Sequence, residues 1–305
     1  GGITRDVGLV TVPKTHISQY HVYLADHASK EIRGWVQLAG DKLAGRAVKL
    51  HIRDAGVKVI ANTDKDGRAE FSVKAPKLKL WSPDSPTLYE VALALDNKPL
   101  VDRIGFRTIA TQGTQILLNG DPIKLRGISM HDETVLRPGV ANSAADAKAS
   151  LELIKGLNAN FARLAHYPHN EHTVRLADEL GLMLWSEVPI VSLIDWENKN
   201  TLAVAKSQVA DNVSRDMNRA AIIMWSVSNE SFPQTDKRLE FLTELATTAR
   251  NLDASKRPIA SALVGNPKEE FRDLGKHLVA QILRTPSVDK AVKDKLMAMM
   301  GAAAA

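Results

Sequence analysis

The chain has 305 residues, 44% hydrophobic and 25% charged, the balance of a globular protein able to bury more than one core, which excludes a disordered or collagen-like chain. Basic residues outnumber acidic ones by 40 to 35, but they are spread along the chain beside acids, so nucleic acid is not an expected partner. Cysteine is absent, which excludes disulfides and thiolate chemistry, and no apolar run approaches the roughly 18 residues of a membrane span.

Gly1 and Gly2 make no natural start, and no basic-then-apolar leader opens the sequence, so a piece of a longer protein is expected. The compartment, cytoplasmic or periplasmic and secreted, and the oligomeric state, a homo-oligomer included, are left open. The four closing alanines carry no reading.

After a lead segment at 1–14, residues 15–109 alternate apolar and polar in short runs: 21–24, 32–38, 47–52, 58–61, 69–73 and 89–95, separated by Gly, Pro, Asn and Asp. This spacing predicts an immunoglobulin-like β-sandwich, with Asp64-Lys65-Asp66-Gly67 as a hairpin turn. Two prolines make the stretch Trp81-Ser82-Pro83-Asp84-Ser85-Pro86 a shaped loop, with Trp81 expected to cover the end of the sandwich core.

Residues 110–305 follow another rhythm. A hairpin over 116–118 and Asn119-Gly120 leads to an apolar strand at 123–128 and a strand end at His131. Ser143 to Asp146 has capping-box spacing and opens a helix to about 157. Strands at 160–165, 182–185, 221–227 and 258–264 alternate with helices at 171–180, 201–219 and 236–252, and further helical stretches lie at 268–283 and 288–300. The pattern predicts a (β/α)8 TIM-type barrel that is incomplete, since about five of its eight strands can be identified.

The run Ile222-Ile223-Met224-Trp225-Ser226-Val227-Ser228-Asn229-Glu230 is an apolar strand that delivers an Asn-Glu pair at its carboxyl end, where barrel enzymes place their chemistry. Glu230 is the candidate catalytic acid, expected to be partly desolvated so that it holds its proton near neutrality. Asn229 offers a donor and an acceptor to a substrate hydroxyl. Arg163, His166 and Tyr167 close the second strand, His131 the first and Glu187 the third, so these side chains are expected to converge on one face. Arg163 reads equally as a bridge between barrel strands. His166, His169 and His172 invite a zinc reading, but Pro168 breaks any helix that would align them and no HExxH pattern is present, so neither metal nor cofactor is expected.

These residues resemble glycoside hydrolase family 2, which holds β-galactosidases, β-glucuronidases and β-mannosidases. The likeness rests on Gly2-Ile3-Thr4-Arg5-Asp6-Val7, on Leu80-Trp81-Ser82-Pro83 with Pro86, Leu88 and Tyr89, and on Gly105-Phe106-Arg107, Leu118-Asn119-Gly120 and Leu125-Arg126-Gly127. Arg163 with His166-Tyr167-Pro168, and Trp225 with Asn229-Glu230, complete it. The resemblance implies a retaining glycosidase acting on terminal β-linked sugars, β-galactosides or β-glucuronides before mannosides. It implies Glu230 as general acid/base, Asn229 on the sugar 2-hydroxyl, His131 and His166 on other hydroxyls, Arg163 orienting the nucleophile and Glu187 lining the pocket.

Three departures from the family pattern stand out. No nucleophilic Glu before an aromatic-Gly pair follows Glu230, and Glu270 does not qualify. The sugar-binding domain that precedes the sandwich is nearly absent. Val188-Pro189-Ile190-Val191 stand where metal-binding relatives carry an acid and a His. These 305 residues are therefore expected to hydrolyse almost nothing unaided, and a carbohydrate-binding module without turnover is the alternative.

Overall fold

The computed structural model describes residues 5–263, 289–291 and 293–294. The Gly2-Ile3-Thr4 part of the first motif, Glu270 and nearly all of both late helical stretches lie outside the described residues.

Seven strands build the sandwich: β1 (His16–Asp26), β2 (Glu31–Ala39), β3 (Ala47–Ile52), β4 (Val57–Asn62), β5 (Arg68–Lys74), β6 (Tyr89–Leu95) and β7 (Lys98–Ile104). They pair antiparallel in two sheets, β1-β2-β5 and β4-β3-β6-β7. Period-two alternation turns Val48, Leu50 and Ile52 inward while Lys49 and His51 face out, and the same rule on each strand fills one core between the sheets. The predicted turn at Asp64 forms, with the Gly67 amide donating to the Asp64 carbonyl at 3.2 Å and Gly67 at φ +82°. It is a corner and not a hairpin, because β4 and β5 belong to opposite sheets. Strand β7 escaped the sequence reading: it carries Pro99 and buries Asp102, so it lacks the apolar alternation that marks its neighbours.

A small antiparallel sheet follows, made of β8 (Ile109–Gln112), β9 (Gln115–Leu118) and β10 (Asp121–Ile123). Asn119 and Gly120 both adopt positive φ, as a tight two-residue hairpin turn demands. The strand predicted over 123–128 is two strands. Ile123 ends this meander, and the side chain of Asn160 takes up the connection, accepting from the Arg126 amide at 2.8 Å and donating to the Lys124 carbonyl at 3.0 Å.

The remaining elements are β11 (Gly127–Met130), α1 (Ala144–Gly156), β12 (Phe161–Leu164), α2 (Glu171–Leu180), β13 (Met183–Glu187), β14 (Val191–Leu193), α3 (Lys199–Asp216), β15 (Ile222–Phe232), α4 (Asp236–Leu252) and β16 (Ile259–Ala262). Five parallel strands, β11-β12-β13-β15-β16, curl into a half-barrel, and the unpredicted β14 lies along the far end of β15. Ser143, Asn170, Asn198 and Thr235 cap the four helices with their side chains. Gly181 ends α2 at φ +68°, where a Cβ would also strike the Pro83 carbonyl oxygen at 2.3 Å. On the outer face of the strands Ala162, Leu164, Leu184 and Trp225 are buried in a cluster shared with the helices. On the inner face Phe161, Arg163, Trp185 and Met224 are only half-buried.

Sandwich and half-barrel form one unit, Gly1–Ala262, and Leu263–Ala305 a second. In the second, the described residues make part of a helical turn in which the Lys293 amide donates to the Asp289 carbonyl at 3.2 Å. In the first, Trp81 does not cover the sandwich core as expected. It is buried in the barrel's apolar cluster, its indole N–H donates to the Asp178 carbonyl at 2.8 Å, and Gly105 leaves room for its ring. Arg107 donates to the Ala220 carbonyl at 3.0 Å and the Ile222 carbonyl at 2.5 Å, fixing the root of β15 to the sandwich. Among the described residues, no helix is long and apolar enough to cross a membrane.

Candidate active site

The strand ends bring four of the seven expected side chains into direct contact. Nη2 of Arg163, at the end of β12, lies 3.0 Å from both carboxylate oxygens of Glu187 and 2.5 Å from Oδ1 of Asn229. Nδ1 of His166 lies 3.0 Å from Glu187 Oε1 and 3.1 Å from the same Nη2. One amino group with two protons thus faces four acceptors. The crowding is relieved if Nδ1 of His166 carries its proton toward Glu187, which leaves Nε2 of the neutral ring as an acceptor; that tautomer is assigned from the network.

Glu187 is wholly buried, a position tolerable for a carboxylate only with charged and hydrogen-bonding partners. Arg163 supplies the charge, and Ser226 donates its hydroxyl to Oε2 at 2.6 Å. Glu187, expected on the pocket wall, is thus buried behind the strand ends, where it holds Arg163 and His166. Asn229 is buried with its amide oxygen on Arg163, so its Nδ2 remains as donor. The Arg163 guanidinium also stands 5.0 Å from the centre of the Trp185 ring. Among the described residues, Arg163 Nε and Trp185 Nε1 are buried without a hydrogen-bond partner.

Around this centre, His131 is exposed with its ring edge-on to His166, centroids 5.1 Å apart. Its Nδ1 lies 3.3 Å from the Tyr167 hydroxyl, which also accepts from the Asp132 amide at 3.4 Å. Glu230 departs from expectation. It is exposed, at φ +46°, a left-handed conformation uncommon outside glycine and frequent at functional positions. The half-dry surroundings foreseen for it are absent among the described residues, where its side chain is exposed.

Of the three histidines weighed as zinc ligands, His166 and His169 have separate partners. His169 is buried with Nε2 3.1 Å from the Ala165 carbonyl oxygen, and burial lowers its pKa to about 4. His172 lies in the first turn of α2. The sequence reading did not single out Ser226, Trp185 or Asp132. Ser226 and Ser228 were legible in principle, as period-two polar breaks in the apolar run of β15.

Residues 109–297 match the family profile described as "Glycosyl hydrolases family 2, TIM barrel domain", and residues 15–107 match that of "Glycosyl hydrolases family 2". The chain belongs to glycosyl hydrolase family 2. A putative β-glucuronidase of Formosa agariphila is 33% identical over 284 residues, covering 84% of this chain and 33% of the relative. A β-glucuronidase of Streptococcus agalactiae is 27% identical and covers 90% of this chain and 48% of the relative, and a β-galactosidase of Streptococcus thermophilus is 27% identical with 85% and 27% covered. Among solved structures, a β-glucuronidase from Ruminococcus gnavus in complex with C6-substituted uronic isofagomine superposes with a TM-score of 0.70 at 27% identity, covering 85% of this chain and 45% of the other. The Bifidobacterium dentium β-glucuronidase complexed with coumarin-3-O-glucuronide, with a TM-score of 0.76, 23% identity and coverage of 84% and 45%, shows the shared fold. The chain spans less than half the length of these curated relatives.

Proposed function

We propose that this chain carries the acid/base half of a retaining β-glycosidase, with Glu230 as general acid/base and a terminal β-glucuronide or β-galactoside as substrate. The observation that carries the reading is the Arg163 junction, which joins Glu187, His166 and Asn229 at the ends of three barrel strands, one residue before Glu230. Names of relatives such as β-glucuronidase and β-galactosidase supply the substrate class.

In this mechanism Asn229 Nδ2 donates to the sugar 2-hydroxyl, while His166 Nε2, His131 and Tyr167 hold other hydroxyls. Glu230 gives its proton to the departing glycosidic oxygen as the bond to the anomeric carbon breaks. In retaining enzymes a second carboxylate, about 5 to 5.5 Å from the first, forms the covalent intermediate, and the acid then serves as base toward water. The unpartnered Nε of Arg163 suits the orienting of such a carboxylate. Among the described residues Glu187 cannot act as that nucleophile, since its oxygens are engaged by Arg163, His166 and Ser226.

The test is hydrolysis of nitrophenyl β-D-glucuronide and β-D-galactoside by the complete natural protein, with the product anomer read by NMR. Turnover with retention that Glu230→Gln removes is the expected result; inversion, or full activity in Glu230→Gln, sinks the assignment. The exposure of Glu230 favours one rival, sugar binding without turnover. Calorimetric binding of the sugar by a protein that cleaves neither substrate would establish that rival instead.

A further inference from the structure

The segment before the sandwich is largely solvent-exposed: Val7, Leu9 and Val10 bury little of their surface. Arg5 in the same segment behaves differently. Its Nη1 donates to Oδ2 of Asp132 at 2.8 Å and its Nη2 to the Pro168 carbonyl at 2.9 Å. These acceptors belong to two separate loops, the one after β11 and the one after β12. Asp132 is 2% exposed, and its carboxylate also receives the Asn170 amide, at 3.1 Å to Oδ2 and 3.3 Å to Oδ1. His169 Nδ1 approaches the same group at 3.8 Å.

What these two loops carry is the point. His131 precedes Asp132, and His166 and Tyr167 precede Pro168. The Tyr167 hydroxyl already touches both the His131 ring and the Asp132 amide. A planar guanidinium that holds two acceptors at fixed geometry sets the separation of the loops bearing them. We infer that Arg5 is a positioning residue for the sugar pocket: from outside both the sandwich and the half-barrel, it clamps the loops that present His131, His166 and Tyr167 to a sugar ring. The inference rests on the glycosidase reading of those three residues. It adds that the segment before the sandwich tunes affinity without touching the sugar.

The Arg5 side chain is 40% exposed, so solvent screens the pair and the effect falls at the low end for a charge-assisted bond. In the complete natural protein, Arg5→Ala is expected to raise KM for nitrophenyl β-D-glucuronide or β-D-galactoside about tenfold, with kcat changed much less. Arg5→Lys should recover part of the loss. Added methylguanidinium should lower the KM of Arg5→Ala and leave the wild type alone, a response that a general folding defect would not give. Unchanged KM in Arg5→Ala, while His166→Ala and Glu230→Gln are impaired, overturns the clamp and leaves the glycosidase reading standing. Unchanged kinetics in all three variants overturns both. A KM rise that tracks a falling melting temperature and resists methylguanidinium also overturns it, because Arg5 would then be serving stability alone.

Discussion

Two of the buried clusters of guanidinium and carboxylate among the described residues are built to different rules. At the junction of sandwich and half-barrel, Arg219 reaches Asp102 and, at 3.4 Å, Asp178. Asp102 also accepts from Tyr20 at 2.8 Å and Arg175 at 2.9 Å, and Asp178 from the Ala221 amide at 2.7 Å. Every one of those bonds ends on protein. At the mouth of the half-barrel the Arg163 cluster uses the same chemistry but leaves capacity over: Arg163 Nε is unpartnered among the described residues, His166 is 27% exposed, and Glu230 stands open beside it. A buried ion cluster whose donors are all satisfied joins parts of a fold. One that keeps donors unengaged at an open face is prepared for something else.

The sharpest way to test that contrast is to change each cluster and read both rate and stability. Glu230→Gln in the complete natural protein should lower kcat/KM on an aryl β-glycoside by about 10² to 10⁴, with no fall in melting temperature, because an exposed carboxyl contributes little to packing. The sequence pattern leads us to expect no nucleophilic carboxylate after Glu230, so the 305 residues by themselves should release nitrophenol no faster than buffer. Ordinary turnover by this chain would refute that expectation.

Arg219→Met should do the reverse. It strands Asp102 and Asp178 without their shared charge partner, and breaking a buried pair in this way typically costs about 3 to 5 kcal/mol. Denaturant unfolding should show that loss, while the KM of whatever protein remains folded stays put. A KM that moved as much as the stability would mean that the junction and the pocket are not separate devices. A smaller effect is expected at Ser226→Ala, which removes one hydroxyl from the buried Glu187 carboxylate. Losing a hydrogen bond to a charged group is worth about 1.5 to 3 kcal/mol, here divided between a lower melting temperature and weaker catalysis as Arg163 and His166 loosen. If neither quantity changes, Glu187 does not depend on that hydroxyl.

How much of this was legible beforehand follows the same division. The sandwich strands read out because a strand with one buried face must alternate, and β3 and β6 were read at their observed bounds. Helices α2 and α4 were likewise read at their observed bounds, 171–180 and 236–252. Strands β7 and β14 were not, because a buried Asp102 and a three-residue length erase the pattern. In the pocket, the residue types at the strand ends pointed to Arg163, His166, Asn229 and Glu230. How deep each of them lies was not written there: Glu187 is buried against Arg163, and Glu230 is exposed. Arg5 carried no signal as a clamp, since its partners lie 127 and 163 residues away and no local periodicity reports so distant a bond.

The smallest expected effect concerns pH, and it sets two buried imidazoles against the junction. Burial lowers the pKa of His21 to about 3 and that of His169 to about 4. Between about pH 4 and 6.5 the unfolded chain protonates both rings while the folded chain does not, so they make stability rise with pH. Asp178 opposes them. Burial raises its pKa from 3.8 to about 6 against the pull of Arg219, so between those values the folded state keeps a proton that the unfolded chain has lost. Its contribution is present in full below pH 3.8 and fades as pH rises through about 6. Asp102 and Asp253, both lowered below the usual carboxylate value, contribute stability above that value and lose it only in stronger acid. Two groups outweigh one, so the melting temperature should climb from about pH 4 to 6.5, each group adding at most about 1.4 kcal/mol per pH unit. Asp178→Asn, which keeps an acceptor for the Ala221 amide, should steepen that climb, and His21→Phe should flatten it. Thermal melts across this range that leave the slope of Asp178→Asn equal to wild type would show that the junction aspartate is ionised throughout, with its charge fully balanced by Arg219.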